Sequence, residues 1–532
     1  MKYLCLLPAL VVGLGLITMP TNCLHATTFT VTTANISGPG SLPVAIAQAN
    51  ATPGKNRINI SVAGITLGLP LPAITNSVAI TGTASAPSII SGGGTLPLFT
   101  FAAGTTNSLS NLVLANGYTA NSGAAINNAG ILSMSSCLIT NQCATNGSGG
   151  AIFNSGVMTI SSSVISGNQS GTGGAVYNLG TMTLNNSQFS ANSASTGGGA
   201  IFNGGSLAIS ILTISNNLSV GGYNGGGGGI YNTGVLSVSK SIFVTNIVIG
   251  MPGTGGLDIT DGGAGYGGAL YSSSGTVGIT NSTFYHNTAL GGNGPVGIGG
   301  NNGGYGCGGA LYIYNGNCTL VNCTVANNLA NDGSGGTGKA IGGGICNYYN
   351  NAVVSLINTI IAGNSAADSS PDLIGAFVSS GVNLIGNNQG ATGLSIFDFQ
   401  NVAANLGPLQ NNGGPTLTCA PLPGSYAIGY GTSTGAPNTD QRGVPRPQNG
   451  GFDIGAVQVV TGSPIITGAA MVNSSGFILN TIFDSTSSYR IQASTNLTSW
   501  PDLITNSSGG AQQFIDTAAT NLNFRFYRTA KP

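Results

Sequence analysis

One short pattern, repeated at near-regular spacing, constrains this chain more than any other feature. Residues 149–154 read GGAIFN, 173–178 GGAVYN, 198–203 GGAIFN and 228–232 GGIYN. Diverged copies stand at 124–128, 267–271, 308–312 and 343–347. A second motif keeps step with the first and ends in an amide slot filled by Gln142, Asn168, Asn192, Asn217, Asn246, Asn287, Asn328 and Asn364. Three residues before each slot stands Ile139, Ile165, Phe189, Ile214, Phe243, Phe284, Val325 or Ile361, apolar in every copy. Successive slots are 26, 24, 25, 29, 41, 41 and 36 residues apart. The shorter intervals suit one coil of a solenoid made of short strands and tight turns. The pattern predicts an all-β, right-handed parallel β-helix, with regular coils over 121–400.

Stacking physics explains why the slot holds asparagine. Parallel coils repeat at about 4.8 Å, so equivalent side chains lie above one another and carboxamides can hydrogen-bond along the stack. Asn168, Asn192, Asn217, Asn246, Asn287, Asn328 and Asn364 are therefore read as a structural ladder. Glycines flank the slots because tight turns need positive φ.

Period-two alternation separates inside from outside. The column Ile126, Ile152, Val176, Ile201, Ile230, Leu270, Leu311, Ile345 is aliphatic throughout and is assigned to the core. The next column then faces outward and carries six aromatics: Phe153, Tyr177, Phe202, Tyr231, Tyr271 and Tyr312. An exposed aromatic stripe offers stacking surfaces to sugar rings or a partner protein. The alternative is that these rings only stack on one another, or that inside and outside are exchanged.

The chain contains 89 Gly and only 11 acidic and 11 basic residues, balanced to zero net charge. That leaves no electrostatic footprint for nucleic acid. Disorder is excluded by the wealth of Val, Ile, Leu and Phe. Residues 1–26, with Lys2 and an apolar run, read as a secretory signal peptide, and no later apolar run is long enough for a transmembrane helix. Seven cysteines remain beyond it: Cys137, Cys143, Cys307, Cys318, Cys323, Cys346 and Cys419. Their spacing fits no zinc motif, which leaves disulfides between neighbouring coils or buried thiols.

The ends differ from the middle. Residues 27–120 are read as an N-terminal cap with degenerate first coils. There Ser41 is the expected N-cap of a short helix whose Leu42, Ala45, Ile46 and Ala49 form one apolar stripe. Residues 401–460 are read as a closing cap in which Asp440, Arg442, Arg446 and Asp453 form a salt-bridged cluster. Binding of an anion is the alternative role for these four. Residues 465–532, with the single Trp500, are read as a small β-sandwich module.

The paired GGAI and Phe-x-x-Asn repeats resemble those of polymorphic outer-membrane proteins. The segments 38–50, 405–416, 422–425 and 439–456 resemble the opening and closing signatures of bacterial secreted β-helix proteins with a choice-of-anchor C-terminal region. Pro43 stands where that family usually has Arg. Gly429 and Gln458 stand where carboxylates are expected. The resemblance implies an exported, extracellular or cell-surface protein.

Catalysis is poorly supplied. The first carboxylate is Asp258, so the earlier coils offer none for acid–base work. The single histidine beyond the leader, His286, occupies a turn slot otherwise held by residues such as Asn141 and Gly167. The enzyme alternative, a polysaccharide lyase or hydrolase, rests on Asp258, Asp261 and Asp332 in the three enlarged coils of 250–345. Two coils separate them, about 10 Å at the strand spacing. Asp258 and Asp261 are also the sole hint of Ca²⁺; otherwise no metal or cofactor is expected. The leading expectation is a non-catalytic, adhesin-like scaffold whose partner is an extracellular polysaccharide or a surface protein.

Overall fold

The computed structural model describes residues 26–221, 224–254, 261–295, 302–336, 338–349, 351–448 and 450–460. Toward the C-terminus it describes 465–472, 476–483, 489–506, 510–521 and 525–530. Apart from Ala26, the leader expected over 1–26 lies outside these residues, as does Asp258.

The chain winds into a parallel β-helix. Among the described residues its strands form a 24-stranded, an 11-stranded and a 13-stranded sheet. One coil shows how. Ile152–Asn154 lies in the 11-stranded sheet, Val157–Ser161 and Val164–Ser166 form two ladders of the 24-stranded sheet, and Gln169–Thr172 lies in the 13-stranded sheet. Each strand pairs in parallel with its equivalent one coil on, as Ile152↔Val176, Met158↔Met182 and Ile165↔Phe189.

Left-handed backbone at three corners makes the coil possible. Gly149 (φ 67) precedes one strand, Ser162 (φ 46) bends the middle, and Gly167 (φ 65) opens the corner before Asn168. Equivalent middle corners use Asn186, Lys240, Asn281, Asn322 and Asn358, and asparagine tolerates this region better than most residues.

Inside, the aliphatic column from Ile126 to Ile345 is fully buried and joins Ile139, Ile165, Phe189, Ile214, Phe243, Phe284, Val325 and Ile361 in one continuous core. Each such side chain contributes roughly 1.5–3 kcal/mol of burial.

The carboxamides run beside this core. Asn168 donates Nδ2 to Asn192 Oδ1 at 2.8 Å, and Asn192, Asn217, Asn246, Asn287 and Asn328 each pass the same bond to the next coil at 2.8 to 2.9 Å. Each backbone N–H in the ladder donates to the same acceptor, as Asn192 N does to Asn217 Oδ1 at 3.0 Å. A longer side chain starts this ladder and a pure acceptor ends it. Gln142 Oε1 reaches back to Gly117 N at 2.8 Å, and Asp372 Oδ1 accepts from both N and Nδ2 of Asn364.

A second ladder, unread in the sequence, uses the Asn that closes the first motif. Asn128, Asn154, Asn178 and Asn203 each donate Nδ2 to the next Asn Oδ1 at 2.8 Å, ending with Asn232 on Ser272 Oγ.

The helix Leu42–Ala51 buries Leu42, Ala45, Ile46 and Ala49 on the first coils. Ser41 stands at its N-cap but makes no capping bond; its hydroxyl donates to Gly38 O at 2.7 Å instead.

The closing region runs beside the coils. After Phe399–Gln400 the chain folds back as a strap along the flank of earlier coils. Thr416 Oγ1 donates to Lys240 O, Asn281 Nδ2 to Thr439 O, Thr283 Oγ1 to Gln441 Oε1, Asn322 Nδ2 to Asp453 O and Asn358 Nδ2 to Thr432 O. The four charges hold this strap together. Arg442 pairs with Asp440 at 2.7 Å and donates to Asn412 O and Gln458 O. Arg446 bonds the carbonyls of Asp453 and Gly455. All four are buried and engaged by the strap itself.

The C-terminal module consists of two antiparallel three-stranded sheets, with Leu479, Tyr489 and Ile491 at their shared core. All seven cysteines are thiols, and six are buried. Among the described residues no helix is long and apolar enough to cross a membrane.

Candidate functional site: a tyrosine surface beside a glycine fin

The aromatic column stands in register, Phe153↔Tyr177↔Phe202↔Tyr231↔Tyr271↔Tyr312, on the strand face opposite the core. Its rings stack with centroids 5.8, 4.5 and 5.3 Å apart from Phe153 to Tyr231, then turn edge-on between Tyr231 and Tyr271. The rings lie down over glycines of the neighbouring strand. A Cβ on Gly197 would strike the Tyr231 ring, and one on Gly226 the Tyr271 ring.

From Phe153 to Tyr231 the rings are half-buried. Tyr271 and Tyr312, expected on the exposed stripe, are 8% and 1% exposed. The cause is local. Where the earlier coil has Gly226, the next three have Tyr266, Cys307 and Ile341, which close over the rings as a second apolar cluster with Cys346. Burial pushes the Tyr271 and Tyr312 phenols well above the usual tyrosine range, so they are neutral packing groups.

The exposed aromatics are others. Tyr314 follows Leu311–Ile313 and Tyr348 and Tyr349 follow Ile345–Asn347, at the same corner of successive coils. Tyr305, Tyr314, Tyr348 and Tyr349 are 40%, 40%, 42% and 54% exposed. Tyr314 and Tyr349 meet edge to face at 5.7 Å, Tyr348 and Tyr349 at 5.3 Å, and Tyr314 lies 6.4 Å from the buried Tyr312. The signal was density: five of the 17 tyrosines fall between 305 and 349. A reading by aligned columns passes over it, because three of the five stand in turns.

Beside this surface the enlarged coils project a rigid fin. Outgoing arms bond upward from coil to coil, as Gly250 N to Leu290 O and Gly291 N to Asn331 O. Returning arms do the same, as Gly262 N to Asn302 O and Gly303 N to Gly335 O. Other amides cross between arms: Gly263 N to Met251 O, Gly292 N to Gly263 O, Gly304 N to Gly292 O and Gly333 N to Gly304 O. Position 292 admits only glycine, since a Cβ there would overlap the Met251 carbonyl.

Of the candidate carboxylates, Asp261 and Asp332 sit on this fin. Asp261, exposed on a returning arm, accepts from Asn302 N at 3.2 Å and Asn302 Nδ2 at 3.4 Å. Asp332 follows the outgoing strand Leu329–Asn331 and is half-buried. His286 is exposed at a left-handed corner (φ 53) with its ring 4.2 Å from Tyr285. No group of three or more His, Cys, Asp or Glu that could hold a metal ion occurs among the described residues. No family model, no curated protein and no solved structure matches this chain.

Proposed function

We propose that this chain is a non-catalytic, exported surface scaffold that binds neutral glycan, with Tyr305, Tyr314, Tyr348 and Tyr349 as its stacking surface. The carrying observation is a cluster of exposed tyrosines on a stiff solenoid. Pyranose rings offer apolar C–H faces to aromatic rings, and phenolic hydroxyls serve the sugar hydroxyls. The polypeptide needs no moving part, since ladders and core hold the corner in place. Export and cell-surface location rest on the apolar leader and on the resemblance to secreted β-helix proteins.

The test is retention on a panel of insoluble and arrayed polysaccharides. Tyr314→Ala with Tyr349→Ala should weaken retention about tenfold, in line with roughly 0.5–1.5 kcal/mol for each aromatic contact. Unchanged retention sinks this reading. Release of reducing ends or unsaturated products by the wild type, lost in Asp261→Ala or Asp332→Ala, would put the polysaccharide-degrading enzyme in its place.

A further inference from the structure

A separate cavity of about 570 Å³ lies where the strap crosses the corner of the last coils. Its floor comes from the solenoid, at Tyr285, Asn327, Gly363 and Asp372, and its wall from strap residues 401–408. The volume falls inside the range of about 300–1,000 Å³ usual for small-molecule sites. It is also far too large and too polar to be a packing void.

The lining specifies a chemistry. Asp372 is 2% exposed and is already bonded through Oδ1 to Asn364. Asn387 and Asn401 use their Oδ1 atoms to accept backbone N–H from Gln389 and Asn388, and their Nδ2 donors have no partner among the described residues. Asn327 Nδ2 donates to Tyr285 Oη at 3.0 Å, which leaves the tyrosine proton to give away. Val402, Leu406 and Pro408 supply apolar surface between these groups.

Three ligand classes are poorly served by this set. Among the described residues no Lys, Arg or His lines the cavity, so an anion finds a carboxylate and no counter-charge. A metal ion finds a single carboxylate, itself engaged by the ladder. A purely apolar molecule would strip water from the carboxamides and leave them unpaired. A neutral polyhydroxylated molecule suits every wall: hydroxyls both donate and accept, and C–H edges rest on Val402, Leu406 and Pro408.

We propose that this cavity binds a neutral sugar unit, with Asn387, Asn401, Tyr285 and Asp372 meeting its hydroxyls. The site stands apart from the tyrosine surface and does not depend on it.

The experiment uses the full chain and a panel of soluble methyl glycosides of neutral hexoses and N-acetylhexosamines, read by saturation-transfer NMR and calorimetry. At least one glycoside should bind. Ala403→Trp, an exposed strap position on the cavity wall, should weaken it at least tenfold while the thermal melt stays unchanged. Asn387→Ala with Asn401→Ala should weaken it in the same direction, and the matching uronide should bind more weakly than the neutral glycoside. Tyr314→Ala with Tyr349→Ala should leave this binding intact, which separates the cavity from the tyrosine surface. Absence of binding across the panel, or binding indifferent to Ala403→Trp, overturns the assignment.

Discussion

The coils before residue 220 and those after 240 obey one repeat and differ in what covers them. Leu138, Val164, Gln188, Thr213, Ile242, Thr283, Thr324, Ile360 and Leu384 stand in one outward column. Val164 is 37% exposed, whereas Ile360 is 0% exposed under the strap. The aromatic column divides in the same way, half-open at Phe153 and closed at Tyr312. Periodicity builds the frame in both halves; the second half adds a fin, a strap, a cavity and an exposed tyrosine corner.

Removing the strap's central ion should break this contrast most severely. Arg442→Ala leaves Asp440, which is fully buried, without its cation, at a cost of about 3–5 kcal/mol. Limited proteolysis should then cut 405–460 while coils 121–220 stay protected. Strap and early coils failing together would show that the halves are one cooperative unit.

The frame itself should respond alike in both halves. Asn192→Ala and Asn328→Ala each remove a buried carboxamide and strand the donors of the preceding Asn, for about 2–3 kcal/mol each. Denaturant melts that differ by more than about 1 kcal/mol between these two variants would mean that the cover, and not the ladder, sets local stability.

The smallest effect concerns acid. The half before Asp258 carries no carboxylate, while burial raises both Asp372 and Asp453 to about 6. Both values lie above the unfolded value of about 3.9, so the folded state binds these protons first. Stability should therefore rise as pH falls from about 7 through 6 toward 5, by on the order of 1 kcal/mol per group. Hydrogen exchange should show this gain near Asn364 and the strap and leave 121–220 unchanged, and Asp372→Asn should flatten it near Asn364.

Residue spacing made much of this legible. The core column, the outward column and the asparagine slots follow from period-two alternation and from the recurring GGAI and Phe-x-x-Asn motifs. Ser41 at the helix start was also readable, but its hydroxyl turned to Gly38 O, a choice made by geometry beyond the motif. The second ladder was in plain view as the last letter of GGAIFN, yet a lone Asn after an aromatic looks like an ordinary turn residue. The fin could not be read, because glycine-rich insertions look the same whether they are unstructured or cross-bonded.

Sequence alone determined the period, the inward face and the ladder of amides, because each is enforced by neighbours one coil away and so is stamped on every repeat. Tertiary structure decided which outward residues are surface. That depends on contacts such as Thr416 with Lys240 and Gln441 with Thr283, made by chain returning from more than a hundred residues downstream. Such contacts occur once, and a feature that occurs once leaves no periodic trace. Burial of Tyr312 and exposure of Tyr314, two residues apart, are settled only there.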